Sequence, residues 1–97
     1  MVIIVENYVP WERLAEVMET NAKMQDIASF ITMRGPYGTA DLGTGVKGIT
    51  VYEFDDAKLK DATDAITKRL MGYMNIPDYT WEMKTYYEMA EAAALLG

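Results

Sequence analysis

Val46-Lys47-Gly48-Ile49-Thr50-Val51-Tyr52-Glu53-Phe54 is the stretch on which the fold turns. β-Branched and aromatic residues fill it, and their alternation predicts a strand with Ile49 and Val51 on one face and Thr50, Tyr52 and Phe54 on the other. Asp55 or Asp56 then supplies a helix cap, with negative charge at the positive end of the helix. Beyond it, Leu59, Ala62/Thr63, Ile66, Leu70 and Tyr73 recur at helical spacing until Asn75 and Pro77 close the run. Tyr79 to Tyr86 alternates again, Trp81 and Met83 against Thr80, Glu82 and Lys84, which predicts a further strand. The tail from Tyr87 to Leu96 carries Met89, Ala92/Ala93 and Leu96 on a short helix.

Upstream of the decisive strand, Gly35, Pro36, Gly38, Gly43 and Gly45 crowd together and predict a loop over 35–45. Ala28 to Arg34 reads as a strand before it. Pro10 to Gln25 reads as an amphipathic helix: Trp11, Leu14, Val17/Met18, Asn21 and Met24 share one side, and Pro10 suits a first turn because it has no N–H to leave unpaired. Val2 to Tyr8 is a β-branched run with an aromatic end, and so a strand. The resulting order is strand–helix–strand–strand–helix–strand plus a helical tail. It predicts an α+β, ferredoxin-like βαββαβ domain over 1–97: a core of about 1–86 and a tail of 87–97. A four-stranded antiparallel sheet carries two helices on one face.

Composition removes chemistry more firmly than it assigns any. The chain has no cysteine and no histidine, which excludes disulfides, thiolate chemistry, imidazole metal ligands and histidine general bases. Its net charge of −6 opposes phosphate backbones, so no nucleic-acid partner is expected. The apolar run from Val2 stops at Glu6, and no stretch reaches the roughly 20 apolar residues of a membrane span. A cytoplasmic protein with no membrane partner is the expectation.

Strand parity divides the sheet into two faces. Ile3, Val5, Ile31, Met33, Ile49, Val51, Trp81 and Met83 form the apolar set expected under the helices. The opposite face is then mixed, from Val2, Ile4, Glu6 and Tyr8 through Arg34, Tyr52 and Phe54 to Glu82 and Tyr86. Such a face exposes more apolar surface than monomers usually carry, which predicts a second copy of the chain against it. Glu6, Tyr8, Arg34, Tyr52, Phe54 and Glu82 are the candidate lining of a pocket at this open face, suited to a small apolar or aromatic molecule.

These features resemble the dimeric α/β-barrel superfamily, and in particular its small, uncharacterised members. The likeness rests on the strand like Val46–Phe54, the helix beginning near Lys58-Leu59, the aromatic last strand and the Ala/Glu-rich tail from Glu88 to Leu96. It implies a homodimer with a ligand pocket between or inside the sheets. It also implies two alternatives, a cofactor-independent monooxygenase- or isomerase-like enzyme and a structural assembly module without ligand. No motif matches those enzymes residue by residue, so no catalytic residue is assigned. Haem degradation is disfavoured by the missing histidine. No cofactor or metal is expected, since the carboxylates show no calcium-loop spacing. Gly43-Thr44-Gly45-Val46-Lys47-Gly48 spells a dinucleotide motif, but a strand follows it where a helix is required. With histidine absent, Glu6 or Glu82 is the general base the chain could offer if burial raised its pKa.

Overall fold

A computed structural model describes all residues, 1–97. The first strand, β1 (Val2–Pro10), alternates Ile3, Val5 and Val9 into the core with Ile4, Glu6 and Tyr8 on the other side. It ends where Pro10 enters an extended conformation ahead of a single 3-10 turn, Trp11–Arg13. The helix α1 (Leu14–Lys23) continues from that turn without burying any residue completely. Strands β2 (Thr32–Asp41) and β3 (Gly45–Glu53) form a long hairpin. A short 3-10 turn at Asp56–Lys58, capped by the Asp55 carboxylate accepting from the Ala57 N–H at 3.2 Å, leads into α2 (Leu59–Met71). Ala62, Ile66 and Leu70 recur every four residues along α2, and this stripe is the part of the helix that is buried. Strand β4 (Thr80–Tyr86) and helix α3 (Met89–Leu96) complete the chain.

The sheet order is β2-β3-β1-β4, and every neighbouring pair is antiparallel. Each helical crossover therefore skips one strand: β3 lies between β1 and β2, and β1 lies between β3 and β4. This double split-βαβ arrangement is the expected ferredoxin-like α+β fold. Its core is one cluster of Ile3, Val5, Ile31, Tyr52, Phe54, Ala62, Ile66 and Leu70. No helix is long and apolar enough to cross a membrane.

Two expectations are corrected. Residues 35–45 are strand and turn rather than an extended loop. Pro36, which has no N–H to give a ladder, sits in a bulge between Arg34 and Tyr37. Pairing then resumes at Tyr37↔Ile49 and continues to Asp41↔Gly45, through the close glycine pair Gly38↔Gly48. The chain reverses at Leu42-Gly43, both left-handed (φ 49° and 72°), with the Thr44 N–H donating to the Asp41 carbonyl at 3.0 Å. The glycines of the nucleotide-like spelling are thus structural. Gly43 permits the turn, and a side chain at Gly48 would collide with the amide of Asn7.

The second correction concerns β3. Cross-strand partners share a face, and Ile3 pairs with Tyr52 while Val5 pairs with Thr50. Because Ile3 and Val5 point under the helices, Thr50, Tyr52 and Phe54 do so too, and each is buried. Ile49 and Val51 instead lie on the open face, where Ile49 is 36% exposed. Met33, paired with Tyr52, and Met83, paired with Val5, lie on the helix side as expected, but Trp81, expected under the helices, is 41% exposed at the edge strand β4.

Helix α3 is fastened at its start only. A reciprocal capping box joins Glu88 and Glu91, and the Met1 α-ammonium donates to Glu91 Oε1 at 2.6 Å and to Asp56 Oδ1 at 3.0 Å. That ammonium, together with the Glu88 N–H, holds the Glu91 carboxyl down at about 2. Met89, Leu95 and Leu96 remain largely exposed.

Candidate functional site

The open face does not gather the six residues expected to line a pocket there. Glu6 and Glu82 are direct cross-strand partners, but both are exposed and both have cations nearby, Lys47 at 3.9 Å and Lys84 at 2.6 Å respectively. Arg34 donates to Glu53 Oε2 at 3.2 Å along the β2–β3 pair. Tyr8 is half-buried, with its hydroxyl 2.6 Å from Thr44 Oγ1 beside the hairpin turn. Tyr52 and Phe54 are on the opposite side of the sheet, 3% and 9% exposed, because the pairing register places them there. The hollow over Glu6, Tyr8, Lys47 and Glu82 is a shallow surface feature walled mainly by polar side chains.

An apolar cavity of about 310 Å³ lies on the helix side, between the sheet and α1. It exists because α1 stands off the sheet: its inward residues Leu14, Val17 and Asn21 are only half-buried. Val5, Asn7 and Val9 of β1 and Val46, Gly48 and Thr50 of β3 form the floor. The Asn7 side chain occupies the space over Gly48, and the small Thr50 beside it leaves room that a larger side chain would fill. Leu14, Val17 and Met18 form the roof.

The far end, toward α2, has a different chemistry. Tyr52, Tyr73 and Tyr79 converge there with Asn21 and Arg69. The Tyr73 hydroxyl donates to Asn21 Oδ1 at 3.0 Å, which ties the end of α1 to the segment after α2. The Tyr73 and Tyr79 rings stack with centroids 4.8 Å apart and planes 21° from parallel. Burial pushes all three phenols above their ordinary range, Tyr79 furthest, and the neighbouring Arg69 charge draws Tyr52 and Tyr73 part of the way back. They are therefore O–H donors at neutral pH. Arg69 Nη1 donates to the Gln25 carbonyl at 2.8 Å, which fixes the guanidinium at the cavity wall.

No carboxylate lines this cavity, so neither Glu6 nor Glu82 serves it as a base. No group of three or more acidic side chains is placed to hold a metal ion. Of the residues that do line it, Arg69 and Tyr79 gave no sequence signal: an arginine in the last turn of a helix reads as a partner for the helix dipole. Asn21 did leave a trace, being an amide on the otherwise apolar stripe of α1.

No family model matches the chain, and neither does any curated protein. Among solved structures the chain is similar to De novo designed protein Foldit4, at 10% sequence identity and a TM-score of 0.46, over 89% of this chain and 97% of that one.

Proposed function

We propose that this protein is a cytoplasmic homodimer that binds a small aromatic molecule in the helix–sheet cavity of each protomer. The observation that carries the reading is the cavity itself. Its 310 Å³ lies at the lower end of the range of small-molecule sites, and it joins apolar walls to a few convergent polar groups. The pocket thus moves from the open face, where sequence parity placed it, to the other side of the same sheet.

The test uses N-phenyl-1-naphthylamine, an uncharged probe that fluoresces in apolar surroundings. Saturable binding at one probe per chain is expected. Val17→Trp, which fills the roof, is expected to abolish it while leaving the far-UV spectrum intact. Equal binding by Val17→Trp and the unaltered chain would remove the cavity as the site.

Assembly rests on the open face, where the pairing register sets out rows. Arg34, Val51, Ile4 and Lys84 form one row, and Tyr37, Ile49, Glu6 and Glu82 the next. Outside them run Thr32, Glu53, Val2 and Tyr86 on one side and Thr39, Lys47, Tyr8 and Thr80 on the other. A two-fold axis parallel to the sheet and above its open face, perpendicular to the strands and between the two middle rows, brings a second copy face to face. It sets Val51 over Ile49, Lys84 over Glu82 and Glu53 over Lys47, while Glu6 falls over Ile4 and Arg34 over Tyr37, so two sets of charges meet their opposites and no like charges meet. A two-fold along the strands would instead stack the row of cations on itself. Charge pattern therefore favours the first arrangement, an isologous contact with a second copy of this chain.

A further inference from the structure

We infer that the natural ligand of the helix–sheet cavity is an aromatic molecule with one anionic group, a carboxylate or its equivalent, which Arg69 binds. The inference rests on the cavity being a ligand site and adds the class of ligand. Six of the nine cationic side chains of this acidic chain stand in ion pairs: Arg13, Lys23, Arg34, Lys47, Lys60 and Lys84. A seventh, Lys58, lies 5.8 Å from the centre of the Phe30 ring. Arg69 and the exposed Lys68 belong to neither group, although fifteen acidic residues are available in the sequence. Of the cations, Arg69 alone lines the cavity; it donates to the Gln25 carbonyl and bonds the Tyr52 hydroxyl, and neither partner is charged, so its five-donor fork keeps donors free for an anion.

Arg69 is half-buried at the wall of an apolar cavity, gives up part of its hydration there and has no counter-ion. An anion entering the cavity restores that balance through charge-assisted, bidentate hydrogen bonds. The surroundings agree. Tyr52, bonded to Arg69, and Tyr79 add hydroxyls to this end of the cavity, and the third phenol, Tyr73, already donates to Asn21. That end of the cavity is therefore rich in donors and free of acidic side chains. The opposite end, at Val9, Leu14 and Val46, is apolar and suits a ring. A cationic ligand would meet like charge, and an uncharged one would leave Arg69 as it is.

The test compares 2-naphthoate with its uncharged isostere 2-naphthamide by calorimetry and by amide chemical-shift changes at Val17 and Thr50. Naphthoate is expected to bind about tenfold to a hundredfold more tightly. Arg69→Gln is expected to erase that preference while naphthamide still binds, and Arg69→Lys to keep part of it. Equal affinities in the unaltered chain would overturn the anionic class and leave the cavity standing. So would an unchanged ratio in Arg69→Gln, with the fold of that variant checked by its amide spectrum. Absence of binding by both compounds, with no shifts at Val17 or Thr50, would overturn the ligand site itself and this inference with it.

Discussion

Leu42→Asn should make the protein more stable, although it removes an apolar side chain. Leu42 is the first central residue of the β2–β3 turn, with φ at 49°, and it is 94% exposed. A left-handed backbone brings Cβ against the following carbonyl, at a cost of about 1 kcal/mol or somewhat more for an ordinary side chain. Asparagine relieves much of this, and Asn-Gly is the favoured pair where both central residues have positive φ. The loss on the other side is small. With 6% of the side chain covered, the apolar contribution forfeited is about 0.1–0.2 kcal/mol. The net gain is about 0.5–1 kcal/mol, which for a domain of this size raises Tm by roughly 3–6 °C. Leu42→Gly removes the same strain but frees the unfolded chain by a similar amount, so its Tm should stay close to the starting value. Leu42→Val, β-branched, should lower it. Thermal unfolding followed by far-UV circular dichroism orders the four proteins. An unchanged or lower Tm for Leu42→Asn, or an unchanged one for Leu42→Val, would refute the assignment of strain to this turn.

Three further outcomes are expected. Gly48→Ala sets a methyl group against the Asn7 amide and should cost about 1–3 kcal/mol in urea unfolding, part of which the Asn7→Gly, Gly48→Ala double variant should recover. Because Tyr52, Tyr73 and Tyr79 hold their protons more tightly folded than unfolded, their contribution is complete below the unfolded phenol value near pH 10 and is lost as pH rises through their higher folded values. Ultraviolet titration should show their ionisation coinciding with alkaline unfolding, and early ionisation of all three in a still-folded chain would contradict their burial. For the dimer, Lys47→Glu should weaken association about tenfold by placing a carboxylate opposite Glu53 of the second copy, and adding Glu53→Lys should restore it, as read by sedimentation. Identical sedimentation for all three proteins, or a monomer throughout, would dismiss that symmetry.

The order of elements was legible because the two amphipathic helices and the flanking alternating strands each declare themselves locally. Ala62, Ile66 and Leu70 mark the buried side of α2 without any tertiary information. The orientation of β3 was not legible in the same way. Both its faces carry sizeable side chains, Ile49 and Val51 against Tyr52 and Phe54, so its own pattern is undecided, and only pairing with Ile3 and Val5 settles which side is buried. The glycine-rich stretch misled for a related reason. Glycine marks loops, but it also marks places where another group comes close, as Asn7 does over Gly48. The cavity could not be read at all. It arises from the distance between α1 and the sheet, and its polar end joins residues 21, 52, 69, 73 and 79, which no spacing rule connects.

The alternation of β3 has a consequence for how such a protein could diversify. Gly48, Thr50 and Tyr52 serve the interior while their immediate neighbours Lys47, Ile49 and Val51 serve the exterior, on one continuous backbone. Odd and even positions can therefore drift under separate selection, one set retuning what is held and the other what is joined. Only a change in the length of the strand would force the two to exchange roles.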